Sequence, residues 1–213
     1  MHIFWEIDQG SDLWRAVRKG RPTASNFDKI VTAVRCDASK SQQAYMRELI
    51  AESFCPENQD WMGNSHTDWG AEMEPEAREA FAVHTGLKVK KVGFVTRDDY
   101  RAGCSPDAFI VEDSDTPIAG LEIKCPTPKT HVSYVLDGIL PTEYRQQVHG
   151  SMAITGLNTW HFWSFYPGLQ PLHVVVNRDA YTEGLNEVLN RFLDDYAAAY
   201  AAALPQLQLP PAA

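Results

Sequence analysis

Glu122 and Lys124 lie two residues apart in the stretch GLEIKCP, which has the apolar pattern of a buried strand. Successive side chains of a strand point to opposite faces. Glu122 and Lys124 therefore share one face, and Leu121 and Ile123 point to the other. Burying an unpaired charge is costly, so the two groups must be paired, bound to something else, or exposed. For the tripeptide alone, a solvated face with a weak ion pair is the ordinary interpretation.

A second carboxylate precedes this strand. Asp107, in the stretch SPDAF, belongs to the preceding predicted strand, and a hairpin would bring it to Glu122 or to a residue beside it. Two carboxylates can hold Mg²⁺ or Mn²⁺, which prefer oxygen ligands and bind phosphate oxygens in their open positions. Such an ion activates water, and a nearby lysine can stabilise the developing anion. The trio would therefore suit metal-dependent phosphodiester hydrolysis with Mg²⁺ or Mn²⁺ as the ion, and the solvated face stays open as the alternative.

The elements that must position these residues predict an α/β protein. Helices are predicted over residues 11–18, from Thr23 or Ser25, over 41–54, and from 67 to 85. Because proline is costly beyond the first turn, we expect the regular part of the fourth helix to begin shortly before Glu74, or to bend at Pro75. The later segments predict a three-stranded meander in LKVKKVGFVTR, AGCSPDAFIVE and IAGLEIKCP, a helix closed by Gly156, strands in TWHFWSFYP and LHVVVNR, and a helix over 180–202. These elements form one mixed sheet with helices packed on it.

Composition and charge are those of a globular protein. The chain has 213 residues, of which 44% are hydrophobic and 22% charged, enough for one core, and we predict a domain over residues 1–204 and a flexible tail over 205–213. The spacing of the four cysteines predicts neither a zinc nor an iron–sulfur site. The absence of a signal-peptide pattern and of a long apolar run predicts a cytoplasmic protein without a membrane partner. A net charge of −9 argues against nucleic-acid binding over the whole surface, but not against a local basic channel.

Five sequence blocks resemble a known nuclease family. SPD, ending at Asp107, and EIK, from Glu122 to Lys124, reproduce the PD-(D/E)xK nuclease signature. The blocks LWRAVRKGRPTASNF, WGAEMEPEAREAF, EIKCPTPKTH, YRQQVHGSM and TWHFWSFYP resemble the phage lambda exonuclease and YqaJ-like viral recombinase family, in the same order. The resemblance extends over nearly the whole chain apart from the tail. It implies a restriction-endonuclease-like core with a central mixed β-sheet flanked by helices.

The resemblance implies a role for each matching residue. Asp107 and Glu122 would bind the metal together with the backbone carbonyl of Ile123. Lys124 would orient the attacking water or help to deprotonate it.

Further residues would surround this centre. Glu74 would be a third acidic residue, acting on a metal-bound water or a second ion; a helix-start glutamate favoured by the dipole is the alternative, and Glu72 and Glu76 compete for the role. Gln147 would hydrogen-bond the scissile phosphate or the water. Tyr144, on the same helix face, is either a substrate contact or a core residue.

A separate group matches the family positions that bind a terminal 5′-phosphate. Arg18, Ser25 and Ser105 combine an arginine fork with hydroxyls, which suits a phosphate and would select a duplex end. An ion pair with a surface acid is the alternative for Arg18. His131 is interpreted as a hydrogen-bonded structural histidine rather than a general base.

The resemblance implies a Mg²⁺-dependent 5′→3′ exonuclease that acts on linear double-stranded DNA, releases mononucleotides and leaves 3′ single strands. It also implies a phage or prophage recombination system in a bacterial host, a single-strand annealing protein as partner, and a ring-shaped homotrimer around the DNA. Two alternatives stay open. One is a PD-(D/E)xK endonuclease or resolvase, which would cut closed circles, and the other is a catalytically silent DNA-binding module.

Overall fold

The computed structural model of the protein describes residues 1–55 and 65–208, and in these ranges it contains eight strands and six α-helices. The central sheet has five strands in the order β2-β5-β6-β7-β8. β6 and β7 run parallel, and the other neighbours are antiparallel. Their bounds are β2 (Val89–Lys90), β5 (Ala108–Val111), β6 (Pro117–Lys124), β7 (Thr159–Ser164) and β8 (Leu172–Asn177).

A smaller antiparallel sheet consists of β1 (His2–Phe4), β3 (Phe94–Thr96) and β4 (Gly103–Cys104), in the order β1-β3-β4. The predicted meander is therefore wrong in part. Each of its first two strands is divided between the two sheets, and only the hairpin of β5 and β6 was predicted correctly.

Helices cover both faces of the central sheet, which confirms the predicted α/β class with a mixed sheet flanked by helices. One core cluster joins Phe27, Val148 and Leu189 to the inner strands, and a second packs Ala77 and Phe81 against the opposite face. The helices are α1 (Asp12–Arg18), α2 (Gln42–Phe54), α3 (Ser65–Thr85), α4 (Pro128–Asp137), α5 (Arg145–Thr155) and α6 (Ala180–Leu207), with 3₁₀ turns at Ala24–Lys29 and Thr142–Tyr144.

Of the two alternatives for α3, a start shortly before Glu74 is wrong, because this helix begins at Ser65 and continues through Pro75. A proline inside a helix costs about 3 kcal/mol. Ala77 and Phe81 follow it and are fully buried against the sheet, and burial of a phenylalanine side chain contributes about 2 kcal/mol. Packing against the sheet thus offsets much of that cost.

The C-terminal helix also differs from the expectation. α6 ends at Leu207 rather than near residue 202, because its last turns are rich in alanine, the strongest helix former. The first residues of the predicted tail are therefore helical. Residues 209–213 lie outside the described ranges, and the domain boundary at 204 stays a prediction.

The second predicted helix is the short 3₁₀ turn at Ala24–Lys29. Within the described residues, no helix combines the length and apolarity needed to span a bilayer.

Candidate active site

The two predicted metal-binding carboxylates lie next to each other at the end of the β5–β6 hairpin. Ala108 pairs with Leu121 in this hairpin, which places Asp107 opposite Glu122. The backbone N–H of Asp107 donates to Leu121 O at 3.1 Å, and the N–H of Ile123 donates to Asp107 Oδ2 at 2.5 Å. The hairpin register thus brings together the three groups that were predicted as metal ligands.

Burial, reinforced by two neighbouring carboxylates, disfavours the ionised form of Asp107. Burial raises the pKa of Asp107 well above its ordinary value, and the charges of Glu122 and Glu74 raise it further. Lys124 and the N–H of Ile123 act in the opposite direction but do not cancel the shift. The ionised form of Asp107 therefore needs an additional positive charge nearby.

Glu122 and Lys124 form an ion pair in which the carboxylate is buried and the lysine side chain is 26% exposed. Glu122 is only 2% exposed, and its Oε1 lies 2.6 Å from Lys124 Nζ and accepts a hydrogen bond of 2.6 Å from Gln147 Nε2. Burial by itself lowers the pKa of Lys124, but the carboxylates of Glu122 and Asp107 outweigh it and the net shift is upward. Lys124 is therefore held as an ammonium group.

The start of α5 and the turn before it form one wall of this site. Gln147 lies in the first turn of α5, and Tyr144 ends the preceding 3₁₀ turn. The ring of Tyr144 lies 5.3 Å from that of Phe162 and 6.2 Å from that of Tyr134, and Lys124 Nζ lies 5.0 Å from its centroid. Burial raises the pKa of the Tyr144 phenol. Tyr144 therefore packs against the core and borders the site at once.

Glu74 reaches the site from α3. Its side chain is 28% exposed and pairs with Arg78 one turn later, and its charge adds to the raised pKa of Asp107. Glu72 and Glu76 are both exposed. Of the three glutamates, Glu74 is therefore the partly buried one, and its role stays a prediction. Arg78 was not singled out from the sequence, although an i, i+4 spacing to Glu74 is a usual sign of such a pair.

The oxygen donors of this group suit Mg²⁺ or Mn²⁺. Within residues 1–55 and 65–208, no preformed set of three or more acidic, histidine or cysteine side chains surrounds one point. Mg²⁺ is commonly bound through one or two carboxylates, because it keeps several waters and takes oxygens from its substrate. The N–H and C=O of one strand residue face the same neighbour, so the Ile123 carbonyl faces the side of β6 on which Asp107 lies. A cation there would relieve the carboxylate repulsion.

A second group, the Arg18 cluster, consists of Arg18, Thr23, Ser25 and Ser105. Arg18 Nη1 donates to Ser105 Oγ at 3.0 Å, and Nη2 donates to Thr23 Oγ1 and Ser25 Oγ, both at 3.2 Å. Burial lowers the pKa of Arg18, and among the described residues it forms no ion pair with a carboxylate. Trp14, which the sequence did not single out, donates from Nε1 to Ser105 Oγ at 2.9 Å. A partly desolvated arginine with hydroxyls around it can bind an anion.

The two groups share one segment of chain. Ser105 belongs to the Arg18 cluster, Asp107 belongs to the carboxylates, and only Pro106 separates them. The side-chain amide of Gln9 donates to Pro106 O at 2.8 Å and to Val92 O at 2.9 Å, which ties this segment to the chain between β2 and β3. Gln9 was also missed, because nothing local marks a contact between residues so distant in sequence.

His131 has the structural position that was expected. It is fully buried, and its ring nitrogens form hydrogen bonds with Ser164 Oγ at 2.8 Å and with Gln170 O at 3.0 Å. Both nitrogens are therefore engaged within the protein, and neither is available as a general base.

Comparisons with known proteins bear on the family and the fold. The family model of the YqaJ-like viral recombinase domain matches residues 13–158. The crystal structure of an alkaline exonuclease from Laribacter hongkongensis, LHK-Exo, is similar to this chain with a TM-score of 0.79 and 28% identity, and covers 92% of this chain and 97% of its own. The complex of LHK-Exo with dAMP gives a TM-score of 0.78 at the same identity and coverage.

A phage-related exonuclease from Haemophilus somnus 129PT is 16% identical, with a TM-score of 0.57 over 84% of this chain and 96% of its own, and shows the fold alone. No curated protein sequence matches the chain. The family match and the likeness to LHK-Exo confirm the predicted resemblance and the PD-(D/E)xK-like core. Since the family model spans more than half of the sequence, the chain belongs to the YqaJ-like viral recombinase domain family.

Proposed function

We propose that the protein is a divalent-metal-dependent 5′→3′ exonuclease that degrades linear double-stranded DNA, releases mononucleotides and leaves 3′ single strands. The observation that carries this proposal is the segment from Ser105 to Asp107, which joins the Arg18 cluster to the buried carboxylates. An enzyme that removes one nucleotide from a chain end needs a site for the terminal phosphate beside its hydrolytic centre. Here a single intervening residue, Pro106, separates a residue of the Arg18 cluster from one of the carboxylates.

In this proposal Asp107 and Glu122, with the carbonyl of Ile123, hold the ion, which is Mg²⁺ or alternatively Mn²⁺. When bound, the ion activates water and neutralises charge on the scissile phosphate. Lys124 donates a hydrogen bond to the water or to the developing anion, and its raised pKa favours this donor role over that of a base. Gln147 fixes the carboxylate of Glu122 through its hydrogen bond.

The remaining polar residues complete the proposed site. Glu74 acts on water next to the carboxylate pair, and Tyr144 borders the substrate beside Lys124. Arg18, Ser25 and Ser105 bind the terminal 5′-phosphate through charge-assisted hydrogen bonds, which are about twice as strong as neutral ones. Binding at this point selects phosphorylated ends and sets the direction of digestion.

Family membership and the likeness to LHK-Exo support this assignment. LHK-Exo is an alkaline exonuclease, and its complex with dAMP shows that it binds a mononucleotide. We extend the proposal to the setting that the family implies: phage or prophage recombination in the bacterial cytoplasm, a single-strand annealing protein as partner, and a homotrimer around DNA. A basic channel in such a ring would accommodate DNA in a protein of net charge −9.

Nucleotide release from three DNA substrates tests the function. The substrates are linear duplex with 5′-phosphate, linear duplex with 5′-hydroxyl, and closed circular duplex, each with Mg²⁺, with Mn²⁺ or with EDTA. We expect metal-dependent digestion of linear DNA alone, fastest from the phosphorylated end. Asp107→Asn serves as the inactive variant, and Asp113→Asn, an exposed aspartate, as its matched control. Cutting of the circle would identify an endonuclease instead, and DNA binding without cleavage would identify a binding module.

A further inference from the structure

Trp14 contacts both the arginine and a serine of the Arg18 cluster. It lies on α1, one turn before Arg18, and its ring faces the guanidinium, whose Cζ is 4.2 Å from the ring centroid. The indole N–H donates to Ser105 Oγ at 2.9 Å. A single side chain thus joins residues from two segments that are far apart in sequence.

The hydrogen bonds at Ser105 restrict the direction of its hydroxyl proton. A serine hydroxyl has two acceptor lone pairs and one proton. Trp14 Nε1 and Arg18 Nη1 both donate to this oxygen, so both lone pairs are occupied. In the part of the chain that the structure describes, the hydroxyl donates to no protein group. Its proton is left for an acceptor from outside, such as a phosphate oxygen.

The indole ring also restricts Arg18. An arginine stacked on an aromatic face presents its N–H groups in the plane of the guanidinium, away from the ring. Nη2 is held by the hydroxyls of Thr23 and Ser25, both at 3.2 Å. Because the group is already oriented, less conformational freedom is lost when it binds an anion.

We propose that Trp14 is a positioning residue of the 5′-phosphate site. It keeps Ser105 as a hydrogen-bond donor and Arg18 in one plane, and it thereby makes the protein prefer phosphorylated ends. The inference rests on the proposed function, because that function takes the Arg18 cluster as the phosphate site. Since Ser105 lies two residues before Asp107, the same contact ties recognition of the end to the carboxylates.

The Trp14→Phe variant tests this role, because phenylalanine keeps an aromatic face under Arg18 but lacks the N–H. Trp5→Phe is the matched control, since the Trp5 ring packs outside the cluster, 5.9 Å from Phe109 and 4.5 Å from Lys90 Nζ. For each protein, kcat and KM are measured on linear duplex with a 5′-phosphate and with a 5′-hydroxyl. Fluorescence anisotropy in EDTA measures the binding of both duplexes independently of cleavage, and melting curves verify folding.

We expect the ratio of kcat/KM for phosphorylated over hydroxyl ends to fall about tenfold in Trp14→Phe, the size of one lost hydrogen bond to a charged ligand. The binding preference should fall in parallel, and Trp5→Phe should keep both ratios. Added salt should not restore the kcat/KM ratio of Trp14→Phe, because salt screens charge but does not orient the Ser105 hydroxyl.

Other outcomes separate this inference from the proposed function. An unchanged ratio in Trp14→Phe, or an equal loss on both kinds of end, overturns the role of Trp14 and leaves the nuclease assignment intact. If the wild type digests both ends equally, the Arg18 cluster is not a phosphate site and the inference fails with it. If the wild type has no nuclease activity, the proposed function fails and the binding preference alone decides about Trp14.

Discussion

The two faces of the central sheet bury ionisable groups in opposite ways. On the face toward α5, Glu122 Oε1 and Lys124 Nζ form an ion pair with a separation of 2.6 Å. On the face toward α3, His161 Nδ1 and His173 Nε2 lie 2.8 Å apart, and the ring of Phe81 packs 5.6 Å from that of His161. Burial, and then the neighbouring His173, lower the pKa of His161 to about 4.

The difference shows what each face is arranged to do. On the α5 face, burial and neighbouring carboxylates disfavour the ionised form of Asp107, which is unfavourable for stability and, under the proposed function, useful for binding a metal ion. The α3 face keeps its histidines neutral among aromatic rings, which favours packing. The α5 face therefore pairs opposite charges, whereas burial on the α3 face disfavours the charged form of His161 and His173.

The largest expected effect separates function from stability on the α5 face. Asp107→Asn keeps an oxygen that can accept from the N–H of Ile123 but removes the charge. We expect nucleotide release to fall at least about a thousandfold, since a proposed metal ligand is lost. In EDTA the free energy of unfolding should rise by about 1 kcal/mol, because burial and two neighbouring carboxylates disfavour the ionised Asp107.

Thermal melting with and without Mg²⁺ completes this comparison. The ion should raise the melting temperature of the wild type more than that of Asp107→Asn, because only the intact site binds it tightly. Asp113→Asn, at an exposed position, should behave as the wild type in both conditions. A variant that is less stable than the wild type in EDTA would show that repulsion is not what distinguishes this face.

The next largest effect is on stability and comes from breaking the ion pair. Lys124→Met leaves the charge of Glu122 buried with Gln147 as its remaining partner, and we expect the free energy of unfolding to fall by about 3 kcal/mol. Adding Glu122→Gln should restore most of the loss, because no unpaired charge then remains. Urea titrations measure both changes, with exposed Lys129→Met as the control. A double variant no more stable than Lys124→Met would contradict charge balance as the cause.

Much of the α5 face could be predicted from sequence because its geometry is local. The alternation of β6 and a short hairpin suffice to place Asp107 beside Glu122. Trp14 was not predictable in the same way, since its hydrogen bond to Ser105 spans 91 positions of the chain. The resemblance supplied Arg18 and Ser105 as a pair, but it does not report which side chains hold them in place.

The fold was predictable where elements are long and periodic, as in α2 and α6, and less so elsewhere. β2 and β3 have two and three residues, and the sequence between them is too short to signal a change of sheet. A Cβ on Gly93 would lie 1.8 Å from Ile7 O, so the N-terminal segment approaches the backbone closely at this break. That contact is tertiary and leaves no periodic pattern.

α4 was missed although its ends carry usual signals. Thr127 is the N-cap, Pro128 opens the helix, and Gly138 follows it with φ of +66°. The segment between them contains β-branched and aromatic residues of low helix propensity. Burial of His131 and Tyr134 against the rest of the fold outweighs that propensity.

The smallest effect concerns the pH dependence of the α3 face. In the unfolded chain His161 takes up a proton near its ordinary pKa of 6.5, whereas in the folded protein it does so only near 4. Between these values the unfolded state binds more protons, so stability should fall as the pH is lowered, by about 2 kcal/mol over the interval. In His161→Gln this loss should be much smaller, while His2→Gln, at a partly exposed position, should keep it.

The difference between wild type and His161→Gln is the quantity to measure, because the α5 face acts in the opposite direction. The raised pKa of Asp107 means that its protonation stabilises the folded state on acidification, and this contribution is common to both proteins. Urea titrations at several pH values between 4 and 7 give the two curves, and their subtraction isolates His161. If the stability curves of the wild type and His161→Gln are parallel, protonation of His161 does not destabilise the fold. The contrast between the two faces would then rest on the carboxylates alone.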